Sequence, residues 1–433
     1  MPSRTNRRQF LRASALTTFG VWVASRPAFA QPKSSNEQLN IAIIGCGGQG
    51  KANIKGAKTE NIVALCDIDD QIMGKAAEEF PGVKKYNDWR KLMDDHKTFD
   101  AVVISVPDHN HAHPTLAALA LGKHVYCEKP LTHTIEENRL VTSAARKAKV
   151  ATQMGTQIHA MDNYRRVVEL LQSGAIGAVK RIHVWVPTDW HAVQTPTDTP
   201  PVPVHIHWDQ WIGPAPKRAY HTEYHPFKWR RWWDFSNGAL GDMACHHVDL
   251  SHWAFDLRHP ETIEAEGPEL KRDSPPPWLV VHYHYAANGK NPPIHLTWYH
   301  GEKRPPLVAE KKVPKEYGAG SIFEGEKGIL IADYNKHTLL PENQFKDFQR
   351  PPKSIPSSIG HHAEWIKAAK EGTPTTCNFD YGGALTETVL LGCVAYKSGT
   401  KINWDAKQGA TGVASADRFL TKEYRQGWAL PRA

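Results

Sequence analysis

The sequence predicts a chain in two parts: a doubly wound parallel α/β sheet, then an α+β domain with a predominantly antiparallel, open sheet. Three observations carry this expectation. From Leu39 onward, short β-branched or apolar runs alternate with helical segments, a pattern that lays strands parallel with helices on both faces. The first run ends in a glycine-rich turn, Gly45-Cys46-Gly47-Gly48-Gln49-Gly50. After residue 157 the grammar changes, and strand-like runs follow one another with few helices between them.

The N-terminus reads as an address. Residues 6–12, Asn-Arg-Arg-Gln-Phe-Leu-Arg, resemble the twin-arginine (Tat) export motif. The apolar stretch 13–24 is too short and too weakly hydrophobic to remain as an anchor, and Ala28-Phe29-Ala30 offers a cleavage site. Residues 1–30 are therefore expected to be a Tat signal peptide cleaved after Ala30, with 31–37 a linker. The expected mature protein is periplasmic or otherwise exported by the Tat machinery, with no membrane anchor. The formal charge of +8 invites a nucleic-acid reading, but Arg4, Arg7, Arg8, Arg12 and Arg26 lie in this leader, which has no acidic residue. No basic stripe interleaved with aromatics follows, so nucleic acid is not an expected partner. Export of an already folded chain also lets buried thiols stay reduced, and no structural disulfide is expected among the six cysteines.

Residues 38–157 form the predicted first domain. Runs 40–44, 62–66, 101–106, 124–127 and 150–154 have strand length and composition; 51–57, 70–80, 114–122 and 135–148 have helical character. In the G-x-G-x-x-G turn, Gly45 permits the tight bend, Gly47 lets the backbone approach a pyrophosphate, and Gly50 allows close packing of helix on strand. The following helix aims free N–H groups and its positive end at phosphates. Gly45, Gly47, Gly48 and Gly50 are candidate cofactor-binding residues of a Rossmann domain. Asp67 closes the second strand, where a carboxylate can take a ribose 2′-hydroxyl and would repel a 2′-phosphate, favouring NAD over NADP. Asp69 competes for that role, and either aspartate has a simpler use as a helix N-cap.

The remainder, 158–433, is the predicted second domain. Runs 178–186, 262–267, 279–285 and 294–299 read as strands, punctuated by proline-rich loops at 200–203 and 275–277. Helical segments at 361–370 and 382–396 are expected to pack across both domains.

Two further motifs carry chemistry. Val125-Tyr126-Cys127-Glu128-Lys129-Pro130 ends the fourth strand, where a parallel sheet places its ligand crevice. Asp242 and His246, in Gly238-Ala-Leu-Gly-Asp242-Met-Ala-Cys-His246-His-Val-Asp249, are four apart on a helix and share one face. That spacing suits a carboxylate positioning an imidazole general base. With the glycine turn, in this order, these motifs resemble the Gfo/Idh/MocA oxidoreductase family across essentially the whole mature chain. The resemblance implies that Lys129 and His246 carry the proton chemistry of hydride removal from an alcohol, with Asp242 in support. It also implies a place for His111 beside the cofactor, and dimers or tetramers through the open sheet. Glu128 is expected to orient Lys129 or to contact the nicotinamide side.

Taken singly, each motif has a plainer reading: Lys129-Pro130 as a surface turn, Asp242–His246 as a local helix contact. A metal site at His246, His247, Asp249 and His252 is the sharper rival, but neighbouring histidines point about 100° apart on a helix and no zinc-type spacing is met, so no metal is expected. Two departures from the family pattern stand out: Ile158-His159-Ala160 after Gly155-Thr156-Gln157, which puts inherited substrate contacts in doubt, and Ala244 where glycine is usual.

Eight of the 15 tryptophans fall between Trp185 and Trp253, many of them expected in the core, but together able to offer a stacking platform for a sugar ring. Arg230, Arg231, His191 and Tyr220 are candidate rim groups. Three functions remain open at this point: a sugar or polyol oxidoreductase with tightly held NAD, a redox-neutral NAD-dependent glycoside-cleaving enzyme, and a non-catalytic sugar-binding protein.

Overall fold

The computed structural model describes residues 37–430; the expected signal peptide lies outside them. The first sheet holds β1 (Asn40–Ile44), β2 (Asn61–Cys66), β3 (Lys84–Tyr86), β4 (Ala101–Ile104), β5 (His124–Glu128) and β6 (Thr152–Gly155). All pairings are parallel, in the order β3-β2-β1-β4-β5-β6. β4 and β5 are buried at every residue, because helices cover both faces. Those helices are α1 (Gln49–Ala57), α2 (Asp70–Ala77), α3 (Trp89–Asp94), α4 (Ala112–Ala120) and α5 (Ile135–Ala148).

Local chemistry sets their ends. The Asp69 carboxylate accepts from the N–H groups of Gln71 and Ile72, a cap worth about 1 kcal/mol. Helix α2 was expected to reach Phe80 but stops at Ala77, since Pro81 disfavours helical geometry at the residue before it. Thr134 and Glu137 close a reciprocal capping box on α5.

Helix α6 (Asp162–Gln172) leads into the second sheet, which contains β7 (Val179–Val186), β8 (Thr262–Glu266), β9 (Leu279–Tyr285), β10 (Ile294–His300), β11 (Gly320–Gly325), β12 (Gly328–Ala332), β13 (His337–Leu340) and β14 (Ile402–Asn403). Its order is β13-β12-β11-β7-β10-β9-β8-β14. Only β7 and β10 pair in parallel; every other pair is antiparallel. One face is packed through Ile182, Val184, Val281, Leu296 and Phe323, against α7 (Gly238–His247), α8 (Asp249–Phe255) and the C-terminal helices.

The C-terminal helices α9 (His361–Glu371) and α10 (Phe379–Ser398) bind the two halves together. α9 packs on α1, where His362 Nε2 lies 3.0 Å from Asn53 Oδ1 and Lys370 pairs with Glu60 at 2.9 Å. α10 is buried along most of its length between α5, α7 and β8. All six cysteines are buried free thiols.

Candidate active site

Burial and backbone shape explain the glycine turn. Gly45 has φ +89°, and a Cβ there would stand 2.3 Å from the Ser105 carbonyl oxygen. At Gly50 a Cβ would come within 2.1 Å of the Gly45 carbonyl oxygen, so α1 can start this close to β1 only with glycine. A Cβ at Gly48 would meet nothing, and no side chain caps the helix that starts beside it. Gly45, Gly47, Gly48 and Gln49 line the cleft at this positive helix end, a fitting cradle for a dinucleotide pyrophosphate.

Asp67 braces this turn as well as facing the cleft. One carboxylate oxygen accepts from Cys46 N–H at 2.7 Å and the other from Asp69 N–H at 2.9 Å. Asp69 is committed to capping α2, and of the two aspartates only Asp67 lines the cleft. Burial raises the Asp67 pKa, and the two backbone donors oppose that shift.

At the far end of the same cleft, the ends of β5 and α7 meet. Lys129 Nζ donates to Asp242 Oδ1 at 2.7 Å and to the Asp242 backbone carbonyl at 2.5 Å. Arg230 Nε donates to the same Oδ1 at 3.1 Å, and Trp190 Nε1 to Oδ2 at 2.8 Å. Burial alone would raise the Asp242 pKa, but the charges of Lys129 and Arg230 outweigh it and hold the acid ionised far below the usual carboxylate range. Burial alone would likewise lower the Lys129 pKa, and Asp242 reverses that, keeping the lysine charged.

This corrects one expectation. Asp242 does not hydrogen-bond His246; its carboxylate is occupied by Lys129, Arg230 and Trp190. The i, i+4 spacing put both on one helix face but did not fix which neighbour the carboxylate would take. His246 Nδ1 is buried with no partner among the described residues, and the side chain lines the cleft. Burial, then the nearby charge of Lys129, pushes the His246 pKa well below its ordinary value, so the imidazole is neutral.

Two more candidates find different work. Glu128 does not hold Lys129. Its Oε1 accepts from Asn53 at 2.9 Å and from Gln157 at 2.8 Å, with the residue still on the cleft wall. His111 is buried behind that wall and does not face the cleft, contrary to its expected place beside the cofactor. Its Nδ1 lies 2.7 Å from the Pro130 carbonyl and its Nε2 2.8 Å from the Val106 carbonyl. Carbonyls only accept, so both nitrogens donate and the ring is a cation. Burial resists that charge, but Cys127, Asp108 and the Pro130 carbonyl prevail and push the pKa up to about 10.

The metal alternative disperses. His246 faces the cleft, His247 Nε2 meets the Tyr334 hydroxyl at 2.7 Å, and Asp249 takes His159 at 3.0 Å and the Tyr381 hydroxyl at 2.6 Å. No group of three or more metal-ligating side chains is assembled among the described residues. His159, one of the departures from the family pattern, is thus tied into the core, stacked on Trp253 at 4.1 Å. Ala244 is fully buried.

The tryptophan-rich segment 187–235 folds over the cleft. Its strands of chain pair with the loop after β2: Asp70 N–H donates to the His205 carbonyl at 3.0 Å and His207 N–H to the Ile68 carbonyl at 2.8 Å. Trp211, Trp229, Trp232, Tyr224 and Phe235 make a hydrophobic cluster of their own, so most of these aromatics are core. Trp211, Phe227 and Trp229 also line the cleft. Of the rim candidates only Arg230 does; His191 pairs with Asp189, Arg231 with Glu223, and Tyr220 is buried. The cavity of about 360 Å³ runs unbroken from the glycine turn to Lys129 and His246. Sequence reasoning missed Asp108, Trp190 and Asn53, whose roles depend on contacts between distant segments.

A glycine cradle joined by one cleft to a Lys–Asp–His group on a second domain defines a two-domain nucleotide-binding α/β protein. The GFO_IDH_MocA oxidoreductase family, with its NAD-binding Rossmann fold, matches residues 39–156, and its C-terminal alpha/beta domain matches 162–430. The chain belongs to this family. Levoglucosan dehydrogenase from Pseudarthrobacter phenanthrenivorans is 25% identical over 234 residues, covering 50% of this chain and 51% of the relative. Inositol 2-dehydrogenase 2 from Saccharopolyspora erythraea is 33% identical over 150 residues, 34% of this chain and 44% of the relative. The chain thus spans about half the length of these curated relatives. Among solved structures, GenD2 of gentamicin A biosynthesis in complex with NAD matches with TM-score 0.60 at 18% identity, covering 87% of this chain and 99% of that one. Levoglucosan dehydrogenase with NADH and levoglucosan matches with TM-score 0.55 at 19% identity, covering 85% and 99%. These likenesses confirm the fold.

Proposed function

We propose that the protein is an NAD-dependent oxidoreductase that removes hydride from a secondary hydroxyl of a sugar or sugar-like polyol. One observation carries this reading: the glycine cradle and the Lys129–His246 pair open onto a single cleft. When bound, NAD supplies the hydride acceptor. The neutral His246 takes the hydroxyl proton, and the Lys129 ammonium holds the same oxygen as negative charge develops on it. Asp242 acts through Lys129, fixing its position and its charge. The dehydrogenase relatives that act on levoglucosan and inositol support a polyhydroxylated substrate.

The preference for NAD over NADP follows from Asp67, whose charge opposes a 2′-phosphate. The segment 187–235, hydrogen-bonded to the loop after β2, supports a tightly held cofactor. Retention suits the export suggested by the N-terminal arginine motif, since little free NAD would meet the enzyme outside the cytoplasm. Purified protein is to be denatured and its supernatant assayed for both nucleotides. Stoichiometric NAD supports the reading; NADP overturns the role of Asp67, and a chain that carries and binds neither nucleotide overturns the enzyme.

A further inference from the structure

We infer that Arg230 is a specificity-determining residue that receives an oxyanion substituent, a carboxylate or a phosphate, on the sugar. This rests on the oxidoreductase reading above and narrows its substrate class. The guanidinium is fixed by three aromatic rings: its carbon lies 4.2 Å from the Trp229 ring centre, 5.3 Å from Phe227 and 6.0 Å from Trp190. Its only hydrogen bond to the described residues runs from Nε to Asp242 Oδ1. The two terminal nitrogens are left without an acceptor, on a side chain only 21% exposed that lines the cleft with Lys129 and His246. A guanidinium set among rings with its two terminal nitrogens unengaged can offer paired N–H donors, the geometry that carboxylate and phosphate take bidentately.

The supply of acceptors favours the same class. Lys129 and Arg230 share a single carboxylate at hydrogen-bond distance, Asp242, with Asp108 attracting both from further off. Asp108, which also lines the cleft, is attracted by His111 behind it as well as by Lys129 and Arg230, and it accepts its hydrogen bond from Ser236 at 2.9 Å rather than from Arg230. Glu128 is engaged by Asn53 and Gln157. A neutral sugar would leave the Arg230 edge facing only its hydroxyls, whereas an anionic one would supply the acceptors that the two terminal nitrogens lack.

The test compares wild type, Arg230→Gln and Arg230→Lys with NAD on matched substrates: glucuronate against glucose, galacturonate against galactose, and glucose 6-phosphate as the phosphate arm. Binding of each is followed in parallel by tryptophan fluorescence. Wild type should favour an anionic member over its neutral partner by about 10–100-fold in kcat/KM, carried mostly by KM. Arg230→Gln should collapse that ratio towards one, and Arg230→Lys should restore part of it. Which anionic arm wins separates carboxylate from phosphate. Equal or better use of the neutral sugars, or an equal loss on both members in Arg230→Gln, overturns the inference and leaves the oxidoreductase intact. Absence of turnover on every sugar counts against the oxidoreductase. Binding then decides the anion separately: tighter binding of an anionic sugar, lost in Arg230→Gln, sustains the inference, and equal binding overturns it.

Discussion

Lys129 Nζ donates to both the side chain and the backbone carbonyl of Asp242, so one lysine fastens the end of β5 to the first turns of α7. The contact spans two domains and sets the charge state of the cleft. Replacing Lys129 by Ala should lower kcat by at least about 10²-fold while the nucleotide stays bound. Turnover and retained NAD are measured on the same preparation; release of the cofactor would move Lys129 from chemistry to cofactor binding.

Asp242→Asn separates positioning from chemistry. Without the carboxylate, burial and the charge of Arg230 are opposed only by the weaker pull of Asp108, and the Lys129 pKa falls from its raised position. The alkaline limb of the kcat/KM profile should therefore move to lower pH, with the activity near neutrality reduced. A profile that drops in height without moving would mean that Asp242 only supports the fold.

For His246 the direction is opposite. Its pKa is pushed well below 6.5 by burial and by Lys129, so the free base persists as pH falls. Wild-type kcat/KM should show no acid limb near pH 6.5, and His246→Ala should cost about 10²–10⁴-fold across the whole range. An acid limb at the ordinary imidazole value would show a solvated His246 instead.

Asp67→Ala should weaken NADH binding without improving NADPH binding, because the lost carboxylate also anchors Cys46 N–H in the glycine turn. Titration of both nucleotides by fluorescence checks this. A variant that binds NADPH as well as the parent binds NADH would make Asp67 a pure charge filter, with no part in the turn.

The parallel sheet was legible because its evidence is local: runs such as Val102-Val103-Ile104 have strand composition, and the glycine spacing marks the one turn that needs no side chain. β3 escaped notice because it is a three-residue edge strand whose two lysines are exposed. β11, β12 and β13 escaped because they are short hairpin strands without a strong alternation signal. The Lys–Asp–His set was legible as residues but not as a network. Asp242 lies 113 positions from Lys129, 12 from Arg230 and 52 from Trp190, and no local pattern announces which of them it will hold. His111 misled for the same reason: its two carbonyl partners, at Val106 and Pro130, come together only when the sheet forms.

Stability should peak near neutral pH, because buried histidines pull in opposite directions. Burial drives the pKa values of His109, His247 and His361 down to about 3 and of His300 to about 4, against about 6.5 when unfolded. These rings stay neutral in the native state while the unfolded chain takes up protons. Their stability is therefore intact above the unfolded value and is lost as pH falls below it, each contributing up to about 1.4 kcal/mol per pH unit. His111 works the other way. With its folded value raised to about 10, its contribution is complete below about pH 6.5 and is lost as pH rises towards 10. Tm measured by calorimetry should fall on both sides of neutrality, and His111→Asn should flatten the alkaline side. An unchanged Tm between pH 7 and pH 5 would contradict the neutral burial of the other four.

Two glycine substitutions should part company sharply. At Gly50 an added Cβ would stand 2.1 Å from the Gly45 carbonyl oxygen and 2.8 Å from its carbon, both backbone atoms of the turn that cradles the nucleotide. Neither can move without displacing β1, whose Gly45 N–H is bonded to the Cys66 carbonyl at 2.8 Å. Gly50→Ala should therefore push α1 away from β1, abolish NAD retention and lower Tm. Gly74 sits inside α2 with nothing near its missing Cβ and an ordinary helical backbone. Gly74→Ala removes only the entropy cost of glycine and should stabilise the protein by about 0.5–1 kcal/mol, with NAD retention untouched. The pair is read by Tm and by nucleotide content after gel filtration. Equal effects of the two variants would mean that the turn yields to a methyl group, and that its glycines serve the chain's flexibility rather than the approach of helix to strand.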